Sequence, residues 1–314
     1  MPAVTFTGET HGCYSDAVQM ALGEAGPGES LVEMLTGSPF GMSSTRAPIF
    51  DAAADEQQHF DKPLFHPYRW TPEWGIETAL DLLGWTCTRT GGSRAEVVEV
   101  LAGVSDEHPA VAGPFEMGLL PYHPGLGFPM GVDHYLTILG LDGETVLVHD
   151  PRAHPYTTVP LEKILDAWSS ETLSFPVDSY NLRTGLRRTG EVAPPEAIRR
   201  LLPIAVDLVN PDESIAAAEA AAKLLDGGLQ TPQFFHLADF MVCVGARRRG
   251  DSAVLLGRAG YPRIAEILDR QARLIGSMEY PLVAGDHAAA ATPVRELIPT
   301  FEPLHAELVK AAAA

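Results

Sequence analysis

The chain is 314 residues long, 46% hydrophobic and 20% charged, enough apolar material for two cores and too much for a disordered or fibrous protein. A formal net charge of -19 argues against nucleic acid or an anionic membrane as the main partner, because phosphate backbones need a basic surface to displace their counterions. Three cysteines cannot build a disulfide framework and point to a reducing compartment, so a cytoplasmic protein is expected.

The first residues carry neither a basic nor an apolar signal region. The longest apolar stretch, 234–246, is broken by His236 and Asp239 and falls short of the ~20 residues a membrane span needs. The negative charge is uneven: residues 1–180 hold 25 acidic against 7 basic side chains, net -18, and residues 181–314 hold 16 against 15, net -1. It serves solubility or, on a sharper reading, draws a cationic substrate such as a polyamine or amino-sugar.

In chain order, residues 13–25 place Ala17, Met20 and Ala21 at helical spacing and stop at Gly26-Pro27, so Cys13 opens a helix. A Gly/Pro/Ser-rich stretch follows. Helices are predicted over Pro72 to Leu83 and Arg94 to Leu101, and a short strand over Ala110 to Ala112. A Gly- and Pro-rich loop at 121–131 reads as a lid or active-site loop. Strands at 133–140 and 145–151 flank Leu141-Asp142-Gly143-Glu144, a hairpin signal. Helices followed by antiparallel strands predict an α+β domain.

Beyond residue 180 the composition turns to Ala, Leu, Arg and Glu. Residues 181–195 read as a polar loop, and a mainly helical second domain is expected over 181–314, after a first domain over 1–180. Its clearest helix has Asn210 as cap, Pro211 at the first position and Gly227-Gly228 past the end. Others are expected from Pro195 to Asp207, Gln233 to Arg247, Tyr261 to Gly276 and Pro293 to Lys310.

A thiol is a nucleophile as thiolate, and a helix N-terminus favours that anion, which singles out Cys13. Such a thiol needs a base, and the base needs a third group to fix its tautomer. His134, early in one strand, and Asp150, at the end of its hairpin neighbour, come to the same sheet end when the hairpin folds. His123 and His149 are left without a role. Cys87, in a strand-like run, and Cys243, in an apolar helix, read as core residues. Arg247-Arg248-Arg249 is a solvated helix end or, on the sharper reading, a contact for an acidic carrier protein or its phosphate. With no CxxC or HExxH and no second cluster, no metal is expected.

These residues resemble a known pattern. A helix-opening Cys with sheet-borne His and Asp is similar to the papain-like superfamily, and the His134 to Asp150 step looks like that of the double-glycine leader peptidases. More closely, His11-Gly12-Cys13, the run from Gly113 to His123 and the run from His134 to Pro151 resemble the N-terminal domain of the butirosin biosynthesis protein H family, and the helical second half is similar in general character to the domain that accompanies it. The resemblance implies a papain-like domain, a helix carrying Cys packed on an antiparallel sheet, in an acyltransferase of secondary metabolism such as antibiotic biosynthesis. An acyl group would pass from a phosphopantetheine thioester on an acyl carrier protein to Cys13 and on to a small-molecule amine. His134 would be base and acid and Asp150 its orienter, with no cofactor beyond the thioester substrate.

One departure matters: Thr7 stands where papain-like peptidases place their oxyanion-hole Gln. The Cys13 N–H can supply one oxyanion donor, with Thr7, His11 or a loop amide as the second; Glu9 and His11 are further site candidates. Water in place of the amine would make the same triad a hydrolase: peptidase, amidase or thioesterase. A non-catalytic scaffold on the same fold is the reading from another class.

Overall fold

The computed structural model describes residues 4–8, 12–48, 59–124, 127–173, 175 and 177–314. They form α1 (Cys13–Leu22), α2 (Glu29–Leu35), β1 (Ser43–Pro48), β2 (His59–Leu64), α3 (Pro72–Leu82), β3 (Trp85–Thr90), α4 (Arg94–Leu101), β4 (Ala110–Glu116), β5 (Asp133–Asp142), β6 (Thr145–Asp150), β7 (His154–Pro160), α5 (Leu161–Ala167) and β8 (Leu182–Arg188). A helical run follows: α6 (Pro194–Leu208), α7 (Pro211–Gly227), α8 (Thr231–His236), α9 (Val242–Arg258), α10 (Pro262–Gly276), α11 (Glu279–Val283), α12 (His287–Leu297) and α13 (Phe301–Ala312). Helices and antiparallel sheet together make an α+β chain.

Two compact units emerge: Met1–Glu29, Ala47–His59 and Gly84–Gly190 in one, Ser30–Arg46, Phe60–Leu83 and Glu191–Ala314 in the other. This corrects the expected contiguous division at residue 180. Residues read as a polar loop contain β8, which lies inside the six-stranded sheet of order β3-β8-β4-β5-β6-β7. Its run Leu-Arg-Thr-Gly-Leu-Arg-Arg hides that placement, because Arg183 is as fully buried as Leu182. Segments 30–46 and 60–83, in turn, belong with the helices. Met42 and Phe65 enter the helical core, the Met42 N–H donates to Ser214 Oγ at 3.1 Å, and Trp70 Nε1 donates to the Thr36 carbonyl at 2.8 Å.

In the first unit, α4 starts from a reciprocal cap between Ser93 and Glu96, and its Val97 and Leu101 join Leu136, Ile138, Val146, Val148 and Trp168 in the main core. The helix α1 packs against β5: Thr137 Oγ1 donates to the Ala17 carbonyl at 2.9 Å, Tyr14 and Tyr135 meet edge to face, and Met20 shares a small core with Val4 and Leu139. Burial of nearly its whole length fixes α1, and so the position of Cys13 at its start.

In the second unit, α7 begins where expected. Asn210 accepts the N–H groups of Asp212 and Glu213, Pro211 takes the first position, and Gly228 follows the end at φ 85°. The helix expected over Gln233 to Arg247 is instead α8, a π-helical turn at Leu237–Met241 and the start of α9. No helix of the described residues is long and apolar enough to cross a membrane.

Candidate functional site

The structure brings Cys13, His134 and Asp150 together. Antiparallel pairing sets Thr137 opposite His149 and Phe115 opposite His134, which puts the start of β5 and the end of β6 at one end of the sheet. Cys13 is the first residue of α1, half-buried. Its thiol is hydrogen bonded to His134 and to the N–H of Tyr135. His134 donates from Nε2 to Asp150 Oδ1 at 2.6 Å, leaving Nδ1 for the thiol.

Asp150 is engaged well beyond its bond to His134. Oδ1 also accepts the Arg152 N–H at 2.7 Å, brought back by a tight turn in which Ala153 adopts φ 63°. Oδ2 accepts His123 Nε2 at 2.7 Å and the Tyr122 hydroxyl at 2.9 Å. The carboxylate is fully buried and both imidazoles nearly so. Tyr122 and His123 were missed as site residues; the signal present was a Tyr-His pair in the loop just before the His134 strand.

That loop is built from Glu116, a buried carboxylate at the end of β4. It accepts the N–H groups of Gly118 and Met130, each at 3.0 Å, Gly131 at 2.8 Å, and the Thr172 hydroxyl at 3.1 Å. Glu116→Gln keeps the shape but turns its amide N–H2 toward at least one backbone N–H, that of Gly131 in the Oε2 place or those of Gly118 and Met130 in the Oε1 place. We expect a loss of about 2 kcal/mol in unfolding free energy and faster amide exchange at Met130 and Gly131 than elsewhere in the unit; unchanged exchange there would remove Glu116 as the anchor.

Charge follows from burial and pairing. Burial pushes the Cys13 thiol above its ordinary 9.0; the hydrogen bond and charge of His134 and the Tyr135 N–H offset this in part, and Asp133 adds to it. Burial works against a charged His134, yet the charge and hydrogen bond of Asp150, with Cys13 contributing, push it up to about 10. Burial also opposes the Asp150 anion, but His134 and His123 hold it far below the usual carboxylate range. His123 is pulled down, burial outweighing Asp150. The resting site therefore holds a thiol, an imidazolium on a carboxylate and a neutral second imidazole. The thiolate–imidazolium pair forms when one proton leaves it.

The other sequence candidates fall differently. His149 accepts the Tyr156 N–H on Nδ1 at 3.0 Å and packs on Phe6 and Tyr156, apart from the triad. The Thr7 hydroxyl is buried without a partner among the described residues, and the neighbouring Gly8 lies against the Pro151 carbonyl. Glu9 and His11 lie outside the described residues. Arg248 and Arg249 are buried, which corrects both readings of 247–249 as an open basic cluster: this face of α9 points inward, with Arg248 on Glu33 at 2.6 Å and over the Trp70 ring. Cys87 is half-buried, and Cys243 is exposed rather than in the core, on the outward side of α9 between buried Val242 and Val244.

Among the described residues, one group of side chains could hold a metal. His123, His134 and Asp150 present ligand atoms within 4.8 Å of one another, but both Nε2 atoms already rest on the two carboxylate oxygens, and a cation there would have to take those lone pairs.

Residues 212–309 match the family model described as the YobF C-terminal domain. The chain is also similar to the uncharacterized protein YobF of Bacillus subtilis (strain 168), 24% identical over 319 residues that cover 98% of this chain and 99% of that one.

Proposed function

We propose that the chain is a cytoplasmic cysteine-dependent acyltransferase of secondary metabolism with a papain-like first unit. It takes an acyl group from a carrier-protein or pantetheine thioester through a Cys13 acyl-enzyme to an amine. The observation that carries this reading is the Cys13–His134–Asp150 chain of hydrogen bonds at the start of α1. The Cys13 thiolate adds to the donor carbonyl, the carbon–sulfur bond to pantetheine breaks, and His134 gives its proton to the leaving thiol. The amine then adds to the Cys13 thioester, His134 takes the amine proton, and the amide leaves with Cys13 restored. Asp150 stabilises the imidazolium in both halves. With Arg248 and Arg249 enclosed, recognition of a carrier rests on the family resemblance, and the pantetheine thioester is the donor to try first.

Intact-protein mass after incubation with a set of acyl-pantetheine thioesters tests this. An acyl adduct is expected on the wild type and not on Cys13→Ala, discharged into an amide when amines are added. Discharge by water alone makes the protein a hydrolase, and no Cys13-dependent adduct from any donor overturns the acyltransferase.

A further inference from the structure

We propose that His123 is a positioning residue for the Cys13–His134 pair, holding the second oxygen of Asp150 so that the first stays on His134; this rests on the reading of Cys13 as nucleophile. The terminal torsion of an aspartate is broad and two-fold, so one hydrogen bond to His134 does not fix the carboxylate plane. Two donors on each oxygen do. A carboxylate only accepts, so Nε2 of His123 carries the proton. Burial keeps this ring neutral, and it orients Asp150 without becoming a second cation beside His134.

The ring is itself held. Its backbone is tied down by the His123 main-chain N–H, which donates to the Leu120 carbonyl at 3.2 Å. The imidazole stacks on His154 at 5.1 Å and 25° and meets Tyr122 and His134 edge-on at 5.0 and 5.6 Å. The charged and titratable groups that face it are Asp150, His134, Arg152, His154 and Tyr122. The donor on Oδ2 also draws carboxylate charge away from His134. Without it, Asp150 pulls harder on the His134 proton while holding the ring less well. A structural histidine that only filled space would do neither.

The test is the rate at which iodoacetamide alkylates Cys13, read by peptide mass between about pH 6 and about pH 11. In His123→Phe we expect a rate about tenfold lower and an alkaline limb moved to higher pH. His123→Gln restores an N–H donor and should recover most of both, and Tyr122→Phe, which keeps the ring, should shift the limb in the same direction by less. A His123→Phe protein with the wild-type rate and limb, or a Gln variant no better than Phe, overturns the proposal. Loss of folding in His123→Phe leaves the Gln and Tyr122 variants to decide it on the same readout. If His134→Ala leaves the Cys13 rate unchanged, the nucleophile reading itself has failed, whatever His123 does.

Discussion

Asp150→Asn should slow Cys13 alkylation and acylation by roughly 10²- to 10⁴-fold while keeping the volume of the side chain and its contacts on Oδ1. Asparagine can still accept from His134 and from Arg152, so the geometry on Oδ1 survives; the charge goes, and the amide N–H2 in the Oδ2 place obliges His123 and Tyr122 to turn from donors into acceptors. Asp150 is the group that carries His134 up to about 10 against the opposing effect of burial. With the charge gone, burial pulls His134 down, opposed chiefly by its bond to Cys13. Cys13 then loses the imidazolium that offsets its own burial, and the thiol rises further. In the wild type, the reactive pair forms as the Cys13 thiol, raised above its ordinary 9.0, loses its proton beside a His134 held up to about 10, so the alkylation rate should climb on the alkaline side. In the variant that climb should move to higher pH, and a profile identical to wild type would refute the assignment of Asp150.

Stability carries the same signature. His134, raised on folding, contributes stability that is complete below pH 6.5 and lost as the pH climbs through about 10. Asp150, depressed on folding, contributes stability present above its ordinary 3.8 and lost as the pH falls below it. The wild type should melt highest between these limits, and Asp150→Asn should flatten that dependence.

What was legible in the sequence was the hairpin and the helix start. Asp133 to Asp150 is two apolar, β-forming runs around a turn signal, which is enough to bring His134 and Asp150 to one end of the sheet, and the apolar periodicity after Cys13 is enough to make it a helix opener. Tyr122 and His123 were not legible, because a side chain in a Gly/Pro-rich loop has no periodicity to say where it points. Their direction is set by Glu116, whose partners Gly118, Met130 and Gly131 are known only once the loop is folded. The division into units failed for a related reason. Composition reports local preference, whereas β8 is held by its pairing with β3 and β4, and Met42 and Phe65 by helices far along the chain. The arginines of α9 misled because a run of three charges is usually solvated.

Those arginines set up the largest stability effect outside the site. Arg249 is fully buried, and its guanidinium donates to the carbonyls of Phe65 at 3.1 Å and Gly245 at 3.4 Å, to the carbonyl of Gly41, and from Nε to Gln271 Oε1 at 3.1 Å. Gln271 in turn donates to Thr300 at 2.8 Å. Burial, with the charge of Arg248 beside it, brings the guanidinium down to about 9, still a cation at neutral pH. One fork thus joins two chain segments before residue 66 to α9 and α10. Arg249→Met replaces much of the volume and none of the donors, leaving buried carbonyls unpaired, and should cost about 3–5 kcal/mol in thermal or urea unfolding. Arg249→Lys keeps a charge but has no fork to reach several carbonyls at once, so little should be recovered. Arg273, exposed on α10 and paired with Asp269 one turn away, is the contrast: its replacement by Met should leave the unfolding midpoint unchanged. Equal losses at Arg249 and Arg273 would show that the buried fork holds nothing together.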